Sequence, residues 1–471
     1  ASARVRDAMA ELSPTVTADA DRTDLSDRYH HLRLHDHPQT GGSVQLSPYD
    51  LANLGRSIPM VFFYEATLAP HLLLNALEKT LVLYPAFCGR YDATPPAAIS
   101  LTNAGVGVFT STVPTTLAAA IAHLPAAGED AAWTSFAVDA HVPYVPEKEA
   151  MDPDAGSPEA PLVALKITSF EGGGTAIGML AQHGVVDADA QIAFVRAWSL
   201  TYRGLPVAPA PDHDRCDCLA AADAPPADAP PAGCKMVAVP RGEVRPPEFA
   251  PVMPKIKGAR ACAVPFSARA LKALKAAASA ELADGFVSTD DVLSARVWQA
   301  LCAVRCEQLG LAADSDEVTT CSRATNIRKR TEPPLGAGYC ANGVTQVWSE
   351  LTVRELLSMR PAAVARRLRA DLQALTPQAI AARTAWLRDA QRRGCATRQR
   401  FDAHALTFIV SSWNFGWEGA DFGGAPIRFE HGAFVPIVAV LVPRPNADGV
   451  DVYASGTHDA VEQFVRLVTA P

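Results

Sequence analysis

Alternating apolar positions in the first half of the chain predict a β-hairpin that ends at a histidine. In LVALKITSF, one face of an extended strand would carry Val163, Leu165 and Ile167, and the turn EGGG is followed by a second strand pattern, TAIGMLAQ. His183 comes directly after that pattern. The hairpin therefore predicts a histidine fixed at the end of a strand.

After His183 the apolar period lengthens to three and four residues, which predicts an amphipathic helix. Its apolar stripe contains Ile192, Val195, Trp198 and Tyr202. Asp187 or Asp189 is the expected cap, because a carboxylate accepts hydrogen bonds from the free N–H groups of the first turn. His183 is thus expected on a rigid corner between a strand and a helix.

Similar patterns predict that strands and helices alternate along the chain. A helix is expected from about Leu72 to Leu83, ending before Pro85. Two further helices are predicted by SARALKALKAAASAELA and by STDDVLSARVWQALCAVRCEQLG, the latter capped by Ser288 or Thr289. Strands are predicted by LTFIVSSW and VPIVAVLVPRP. This alternation is typical of an α/β protein.

A proline-rich segment separates the two halves. Residues 206–254 contain twelve prolines and show little periodicity, which is typical of a linker. At 471 residues the chain is long enough for two or three domains. We predict an N-terminal domain at 1–205, a linker at 206–258 and a C-terminal domain at 259–471, each domain a mixed sheet flanked by helices.

Composition excludes several classes of protein. With 42 basic and 50 acidic residues the net charge is −8, which argues against a nucleic-acid partner that must be bound through phosphate neutralisation. No run approaches the roughly 20 apolar residues of a membrane span, and the sequence ASARVRDAMAELSPTV lacks the apolar core of a signal peptide. The ten cysteines form no convincing zinc framework. A soluble cytoplasmic protein without a metal is expected.

The spacing H-x-x-x-D occurs twice and is therefore not specific by itself. One copy pairs His183 with Asp187, and the other pairs His213 with Asp217 inside the proline-rich segment. The first copy has a strand before it and a helix after it, whereas the second has no regular pattern on either side. The context therefore favours His183 as a catalytic histidine and an accidental match at His213, where substitution to Ala is expected to change little.

Arginine is concentrated between residues 360 and 400. This stretch contains ten arginines and two acidic residues, Asp371 and Asp389. It predicts either an anion-binding or membrane-facing surface or the solvated face of two helices. The solvated face is the favoured interpretation, because charged runs on helices usually face water.

Six stretches, in order, resemble the BAHD acyltransferases, a family that transfers an acyl group from coenzyme A to an alcohol or amine. They cover the chain almost end to end and read LSPYDL, LLLNALEKTLVLYPAFCGRYD, PLVALKITSFEGGGTAIGMLAQHGVVDA, STDDVLSARVWQAL, NIRKRTEPPLGAGYCANGV and SSWNFGWEGADFGGAP. The resemblance implies two domains of the chloramphenicol-acetyltransferase type with a solvent channel between them. It also implies acyl-CoA as co-substrate, no permanently bound cofactor and a monomer.

The resemblance also assigns roles to individual residues. His183 would be the general base, with Asp187 holding the corner rather than taking part in chemistry. Ser411 and Trp413 match the hydroxyl and the tryptophan that serve the oxyanion zone.

The family's D-F-G-W-G loop matches Asp421, Phe422 and Gly423, after which this chain departs from the pattern with GA. Asp421 would form a salt bridge with Arg328, the first arginine of RKR. This pair would tie the late loop to the middle of the second domain.

Coenzyme A carries phosphates, so a cationic or helix-N-terminal contact is required. Lys272, Lys275 and the cap at Ser288 and Thr289 are the candidates.

Three other classes compete with a CoA-dependent enzyme. Carrier-protein-dependent or wax-ester-forming enzymes of the same fold usually have two adjacent histidines followed by D-G, where this chain has Gln182, His183, Asp187 and Ala188. A serine hydrolase is disfavoured because no G-x-S-x-G occurs. A non-catalytic scaffold on this fold stays open. The acyl donor and the acceptor, alcohol or amine, are not identified by the sequence.

Overall fold

The computed structural model describes ten ranges of the chain, which are 28–34, 41–94, 97–122, 134–135, 161–215, 229–240, 260–282, 285–399, 406–431 and 436–470. Its strands are β1 Arg28–Leu32, β2 Ser43–Gln45, β3 Ser57–Tyr64, β4 Arg90–Asp92, β5 Ala98–Ser100, β6 Val106–Val113, β7 Thr134–Ser135, β8 Val163–Phe170, β9 Thr175–Gln182, β10 Met236–Pro240, β11 Arg260–Ser267, β12 Val318–Asn326, β13 Val344–Thr352, β14 Cys395–Gln399, β15 Thr407–Ser412, β16 Arg428–His431, β17 Val438–Pro443 and β18 Gly449–Gly456. Its α-helices are α1 Pro48–Leu51, α2 Pro70–Leu81, α3 Leu117–Ile121, α4 Ala188–Tyr202, α5 Ala268–Glu281, α6 Thr289–Leu309, α7 Val353–Ser358, α8 Pro361–Gln373, α9 Pro377–Arg392 and α10 His458–Thr469.

Two large mixed sheets with flanking helices confirm the predicted α/β class. The first sheet has the strand order β1-β6-β8-β9-β3-β16, in which β6 and β8 run parallel and the other neighbours antiparallel. The second has the order β13-β12-β15-β17-β18-β11-β7, with β15 parallel to both of its neighbours. Two smaller sheets pair β2, β4 and β5, and β10 with β14.

The predicted hairpin and the helix after it are both present. Strands β8 and β9 pair in antiparallel register, and β9 ends at Gln182, so His183 is the first residue beyond the strand. Asp187 is the N-cap of α4. Ser288 caps α6, and Thr289 is its first residue. The helix expected near residues 72–83 spans Pro70–Leu81.

The two large sheets exchange strands across the predicted domain boundary. Strand β16, from the second half of the chain, pairs with β3 in the first sheet, and β7, from the first half, pairs with β11 in the second. Arg428 of β16 also forms a buried ion pair with Asp451 of β18, at 3.1 Å. The division into residues 1–205 and 259–471 stays a prediction, but main-chain pairing crosses it in both directions.

The proline-rich segment contains more structure than its composition predicts. Strand β10 lies within it and pairs along its whole length with β14. Upstream, Asp212 forms an isolated parallel bridge with Tyr339, and Arg215 is 2% exposed. Asp217, the second member of the repeated motif, lies outside the described residues. The described parts of this segment therefore contact the body of the protein.

The arginines between residues 360 and 400 do not share one solvated face. Arg383 is buried, donates to Thr345 and stacks on Trp348, and Arg369 pairs with the buried Asp291. Others, such as Arg367, form exposed ion pairs along their own helix. The solvated-face interpretation holds for only part of the stretch. None of the helices within the described ranges is both long and apolar enough to cross a membrane.

Candidate active site

His183 is fixed at a corner where four elements meet. Its backbone N–H donates to the carbonyl of Arg56, just before β3, at 2.8 Å. The chain then turns through GVV, and Asp187 opens α4 by accepting a hydrogen bond from the N–H of Ala190 at 2.9 Å. The fourth element is the segment between β12 and β13, which contributes Asn342. The backbone of His183 is therefore held by the residue before β3 on one side and by the turn into α4 on the other.

The side chain of Asn342 determines which imidazole nitrogen carries the proton. Its Nδ2 donates to Oδ1 of Asp50 and to the carbonyl of His183, both at 2.7 Å. Both partners are acceptors, so the amide has one orientation and its Oδ1 faces Nδ1 of His183 at 3.0 Å. Nδ1 must then donate, which leaves the lone pair on Nε2. This is the tautomer that a general base requires.

Asp50 holds Asn342 in turn. The side chain of Asp50 is buried and closes a capping box with Ser47 at the start of α1. Its Oδ2 accepts from the N–H of Ser47 at 2.8 Å, and its Oδ1 accepts from the N–H of Asn342 at 3.1 Å as well as from the amide. The stretch LSPYDL thus has a structural role, because its aspartate binds Asn342, the residue that orients His183.

The environment of His183 keeps the imidazole neutral. Burial lowers its pKa below the ordinary value of 6.5, and the positive charge of Arg56 lowers the pKa further. A backbone hydrogen bond, the charge of Asp187 and the hydrogen bond to Asn342 oppose this shift in the pKa without reversing it. A neutral imidazole at neutral pH can accept a proton.

Asp187 makes contacts of the kind expected of a structural residue, and its predicted role at the corner stays a prediction. Its carboxylate forms a two-pronged ion pair with Arg328, at 2.7 and 2.9 Å, and accepts from the N–H of Gly343 at 2.8 Å. Burial opposes ionisation, but the charge of Arg328 and these hydrogen bonds outweigh it and lower the pKa of Asp187. Asn342, and not Asp187, is the partner of the imidazole. Asp187 therefore joins the β12–β13 segment to the corner at His183.

The predicted salt bridge between Asp421 and Arg328 is wrong. Asp421 pairs with Arg203, at the end of α4, at 2.9 Å, and both side chains are about one-third exposed. The guanidinium of Arg328 is already occupied by Asp187 and by the carbonyl of Ala341. The loop with Asp421 docks on the first half of the chain instead of on the RKR segment.

Phe422 anchors that loop. It is 2% exposed and packs edge-on against the rings of Tyr64, Trp198 and Tyr202. The hydroxyl of Tyr64 also donates to the carbonyl of Ala420 at 2.9 Å. The next residues, GA in place of the family's W-G, are exposed. The missing tryptophan therefore leaves the buried part of this contact intact.

Ser411 and Trp413 lie at the end of β15 and interact with each other. The indole N–H of Trp413 donates to the hydroxyl of Ser411 at 3.1 Å. Trp413 is buried against Phe429 and His431, whereas Ser411 is partly exposed. With the indole as its donor, the Ser411 hydroxyl keeps its own proton for another acceptor. Their role at the oxyanion stays a prediction.

Comparison with protein families identifies the family of this chain. A family model described as "Transferase family" matches residues 34–468, nearly the whole chain. The chain belongs to the BAHD acyltransferase family. It is accordingly an acyltransferase.

Several curated relatives of this BAHD enzyme act on amines or alcohols. It is 27% identical over 327 residues to agmatine hydroxycinnamoyltransferase 1 of Oryza sativa subsp. japonica, covering 68% of each chain. Tryptamine benzoyltransferase 1 of the same plant is 25% identical over 92% of this chain and 93% of its own. Shikimate O-hydroxycinnamoyltransferase of Nicotiana tabacum is 26% identical over 60% of this chain and 61% of its own.

Solved structures share the fold. Vinorine synthase superposes with a TM-score of 0.67 at 20% identity, covering 97% of this chain and 98% of that one. The F. graminearum TRI101 complex with coenzyme A and deoxynivalenol has a TM-score of 0.66 at 18% identity, covering 90% and 97%.

The residues predicted to contact coenzyme A differ in their surroundings in this BAHD chain. Lys272 is exposed on α5, and Nζ of Lys275 lies 5.1 Å from the ring centre of the exposed Phe286. Ser288 instead forms a capping box with Asp291, and Asp290 adds a second carboxylate to the first turn of α6. These two negative charges already interact with the positive end of the helix dipole. The arrangement disfavours a phosphate at Ser288 or Thr289. The two lysines stay the predicted contacts.

Two residues of the site, Asn342 and Asp50, were not found by sequence reasoning. Both lie in stretches that resemble the family, GYCANGV and LSPYDL, but neither carries a role of its own there. The capping-box spacing of Ser47 and Asp50 was the available signal, because S-x-x-D before a short helix predicts a fixed carboxylate. The pairing of Asp50 with Asn342 spans 292 positions and has no local signature.

Proposed function

We propose that the protein is an acyl-CoA-dependent O- or N-acyltransferase in which His183 is the general base of a ternary complex. One observation supports this mechanism most directly: the amide of Asn342 assigns the proton to Nδ1 and leaves Nε2 of His183 free. A neutral hydroxyl or amine needs such a base to attack a thioester.

The chemical steps follow from that tautomer. Nε2 of His183 takes the acceptor proton while the acceptor oxygen or nitrogen attacks the thioester carbonyl carbon. The carbonyl oxygen becomes an oxyanion, for which Ser411 and Trp413 are the proposed donors. The tetrahedral intermediate then collapses, the carbon–sulfur bond breaks, and the coenzyme A thiolate receives the proton from His183. No acyl-enzyme is required.

The donor site is proposed near α5. Lys272 and Lys275 would contact coenzyme A phosphates, and the centre of the exposed Phe286 ring is 5.1 Å from Nζ of Lys275 and 5.3 Å from Cζ of Arg369. An exposed aromatic ring with cations on it suits a planar, negatively charged nucleotide.

The acceptor class stays open between alcohols and amines. Agmatine and tryptamine appear in the names of some relatives and shikimate in that of another, so these are the first acceptors to try. The alternative is a carrier-protein-dependent or wax-ester-forming enzyme of the same fold, or a non-catalytic scaffold. Cytoplasmic localisation and a monomeric state stay predictions from the sequence.

The decisive experiment incubates the purified protein with panels of acyl-CoA thioesters and of amine and hydroxyl acceptors, following free thiol. Thiol release should require the acceptor beyond a slow hydrolytic background, and initial-rate kinetics should be sequential. His183→Ala should fold normally and lose about 10²–10⁴-fold in kcat/KM, the usual contribution of a placed general base. His71→Ala, an exposed histidine on α2, is the matched control and should keep full activity.

Three results would contradict the proposal. Near-normal turnover in folded His183→Ala would exclude the base. A burst of thiol before acceptor is added would indicate a covalent acyl-enzyme. Activity only with carrier-bound acyl groups would favour the alternative class.

A further inference from the structure

We propose that Arg215, in the proline-rich segment, is a positioning residue for His183. The proposal rests on the proposed role of His183 as the base. It assigns a function to a segment that the sequence predicts to be a linker.

Arg215 lies directly behind the residues that orient the imidazole. Its Nη1 donates to the carbonyl of Val185, two residues after His183, at 2.7 Å, and lies 3.5 Å from Oδ2 of Asp50. The two side chains are 1% and 0% exposed. Among the residues that the structure describes, Arg215 is the one positively charged side chain within salt-bridge distance of Asp50. A single guanidinium thus contacts both the His183 turn and the carboxylate behind Asn342.

Two acceptors, the carboxylate of Asp50 and the carbonyl of His183, orient the amide that sets the tautomer of His183. An ionised carboxylate only accepts hydrogen bonds, so Nδ2 of Asn342 must face it. A buried carboxylate without a counter-charge is strongly disfavoured and either takes up a proton or rearranges. A protonated Asp50 could donate instead, and only the carbonyl of His183 would then hold the orientation of Asn342. Because Arg215 pairs with Asp50 and also donates to Val185 in the His183 turn, it stabilises the amide orientation that places the lone pair of His183 on Nε2.

The preceding residues hold Arg215 in place. The N–H of Asp212 donates to the carbonyl of Gly338 at 2.7 Å, and the N–H of Cys340 donates to the carbonyl of Asp212 at 3.1 Å. A Cβ at Gly338 would lie 2.0 Å from the carbonyl oxygen of Ala210, so this close approach requires glycine. The segment is docked beside Cys340, two residues before Asn342.

His213 completes this docking. Its Nε2 lies 2.7 Å from the carbonyl of Leu83, an acceptor, so Nε2 carries the proton and Nδ1 accepts. Nδ1 lies 3.2 Å from the Sγ of the buried Cys340, whose thiol donates to the carbonyl of Asp212 at 2.9 Å. The histidine of the second H-x-x-x-D motif thus binds the proline-rich segment to Leu83 and Cys340 in the body of the protein. The expectation that His213→Ala changes little is therefore replaced by a loss of both stability and activity.

The test compares Arg215→Met with Arg444→Met in the full-length protein. Arg444 forms an equally buried ion pair with Asp451, at 2.7 Å, on the β17–β18 side of the second sheet, so its loss controls for the removal of a buried charge. The first readout is the ¹⁵N spectrum of labelled histidine, in which the His183 signals are assigned as those absent from His183→Gln. The second readout is kcat/KM as a function of pH, and the third is the melting temperature.

Arg215→Met should convert part of His183 to the form protonated at Nε2 and lower kcat/KM by about 10²-fold, the loss typical of a misplaced catalytic group. Arg444→Met should lower the melting temperature without changing either the His183 signals or the pH profile. Arg215→Lys, which keeps the charge, should recover part of the activity. If Arg215→Met does not fold, Gly338→Ala, which displaces the same segment, should show the same change of tautomer.

Equal behaviour of Arg215→Met and Arg444→Met in the spectrum and the pH profile would overturn the proposal and leave Arg215 a structural residue. So would an unchanged His183 spectrum in Gly338→Ala when Arg215→Met is unfolded. The spectrum does not depend on acyl transfer. If the wild-type protein proves inactive with every donor, the proposed function fails while the positioning role is still decided by the tautomer.

Discussion

A single amide group decides which ring nitrogen of His183 carries the proton and which carries the lone pair. The sequence predicted the histidine and its position, because a strand, a turn and a helix are local patterns. It did not predict Asn342, which reaches the imidazole from 159 positions away. The pairing of Asp421 with Arg328 came from the family resemblance, and the structure pairs these residues with Arg203 and Asp187 instead. Local geometry was predictable, and partners across the chain were not.

The pH dependence of kcat/KM should reflect the lowered pKa of His183. Only the neutral imidazole accepts a proton, so activity is lost as pH falls through that pKa, and the acid limb should lie below pH 6.5. Arg56→Gln removes a positive charge that disfavours protonation, so its acid limb should move to higher pH. Arg354→Gln, at an exposed arginine paired with Asp316, is the control and should leave the limb in place. An acid limb above 6.5 in the wild type would contradict this environment.

The two ion pairs of the site should differ in strength. In double-mutant cycles of unfolding free energy, Asp187 and Arg328, which are largely buried and two-pronged, should couple by more than about 1 kcal/mol. Asp421 and Arg203, each about one-third exposed, should couple by about 0–1 kcal/mol, as exposed pairs do. Additive losses for Asp187 and Arg328 would show that their contact does not stabilise the fold.

At the level of elements, prediction succeeded where apolar periodicity was strong and failed where pairing was distant. The β8–β9 hairpin and α4 follow from their own residues. Strand β10 is short and lies among prolines, so its own residues give a weak strand pattern. Its main-chain hydrogen bonds are made with β14, more than 150 positions later in the chain. The residues of β10 alone therefore could not predict that β14 is its partner strand.

The D-F-G loop should stabilise the protein through one aromatic side chain. Phe422→Ala would leave a cavity between three rings, and we expect a loss of about 3–5 kcal/mol in the free energy of unfolding. Phe286→Ala, at a phenylalanine that is 61% exposed, should leave the unfolding free energy nearly unchanged. Denaturant titration of both variants measures this difference. Equal losses would mean that the loop contributes little through packing.

At the level of the whole molecule, the exchanged strands make the two predicted domains depend on each other. Without residues 428–431, β3 would present an unpaired edge in the first sheet. Fragments 1–258 and 259–471 expressed separately should therefore fail to show cooperative thermal unfolding, whereas the intact chain should unfold as a unit. A fragment with a sharp melting transition of its own would show that the exchange is dispensable.

The pairing of β16 with β3 also sets the order of events on the ribosome. About 360 residues separate the two strands in the chain. At translation rates of roughly 5–20 residues per second, β16 is therefore synthesised roughly 20–70 s after β3. During that interval the nascent chain carries the sequence MVFFY, which is buried in the finished protein, at an open sheet edge. The stability of the finished fold cannot protect this edge during that interval, so the edge is exposed to aggregation until β16 has been synthesised.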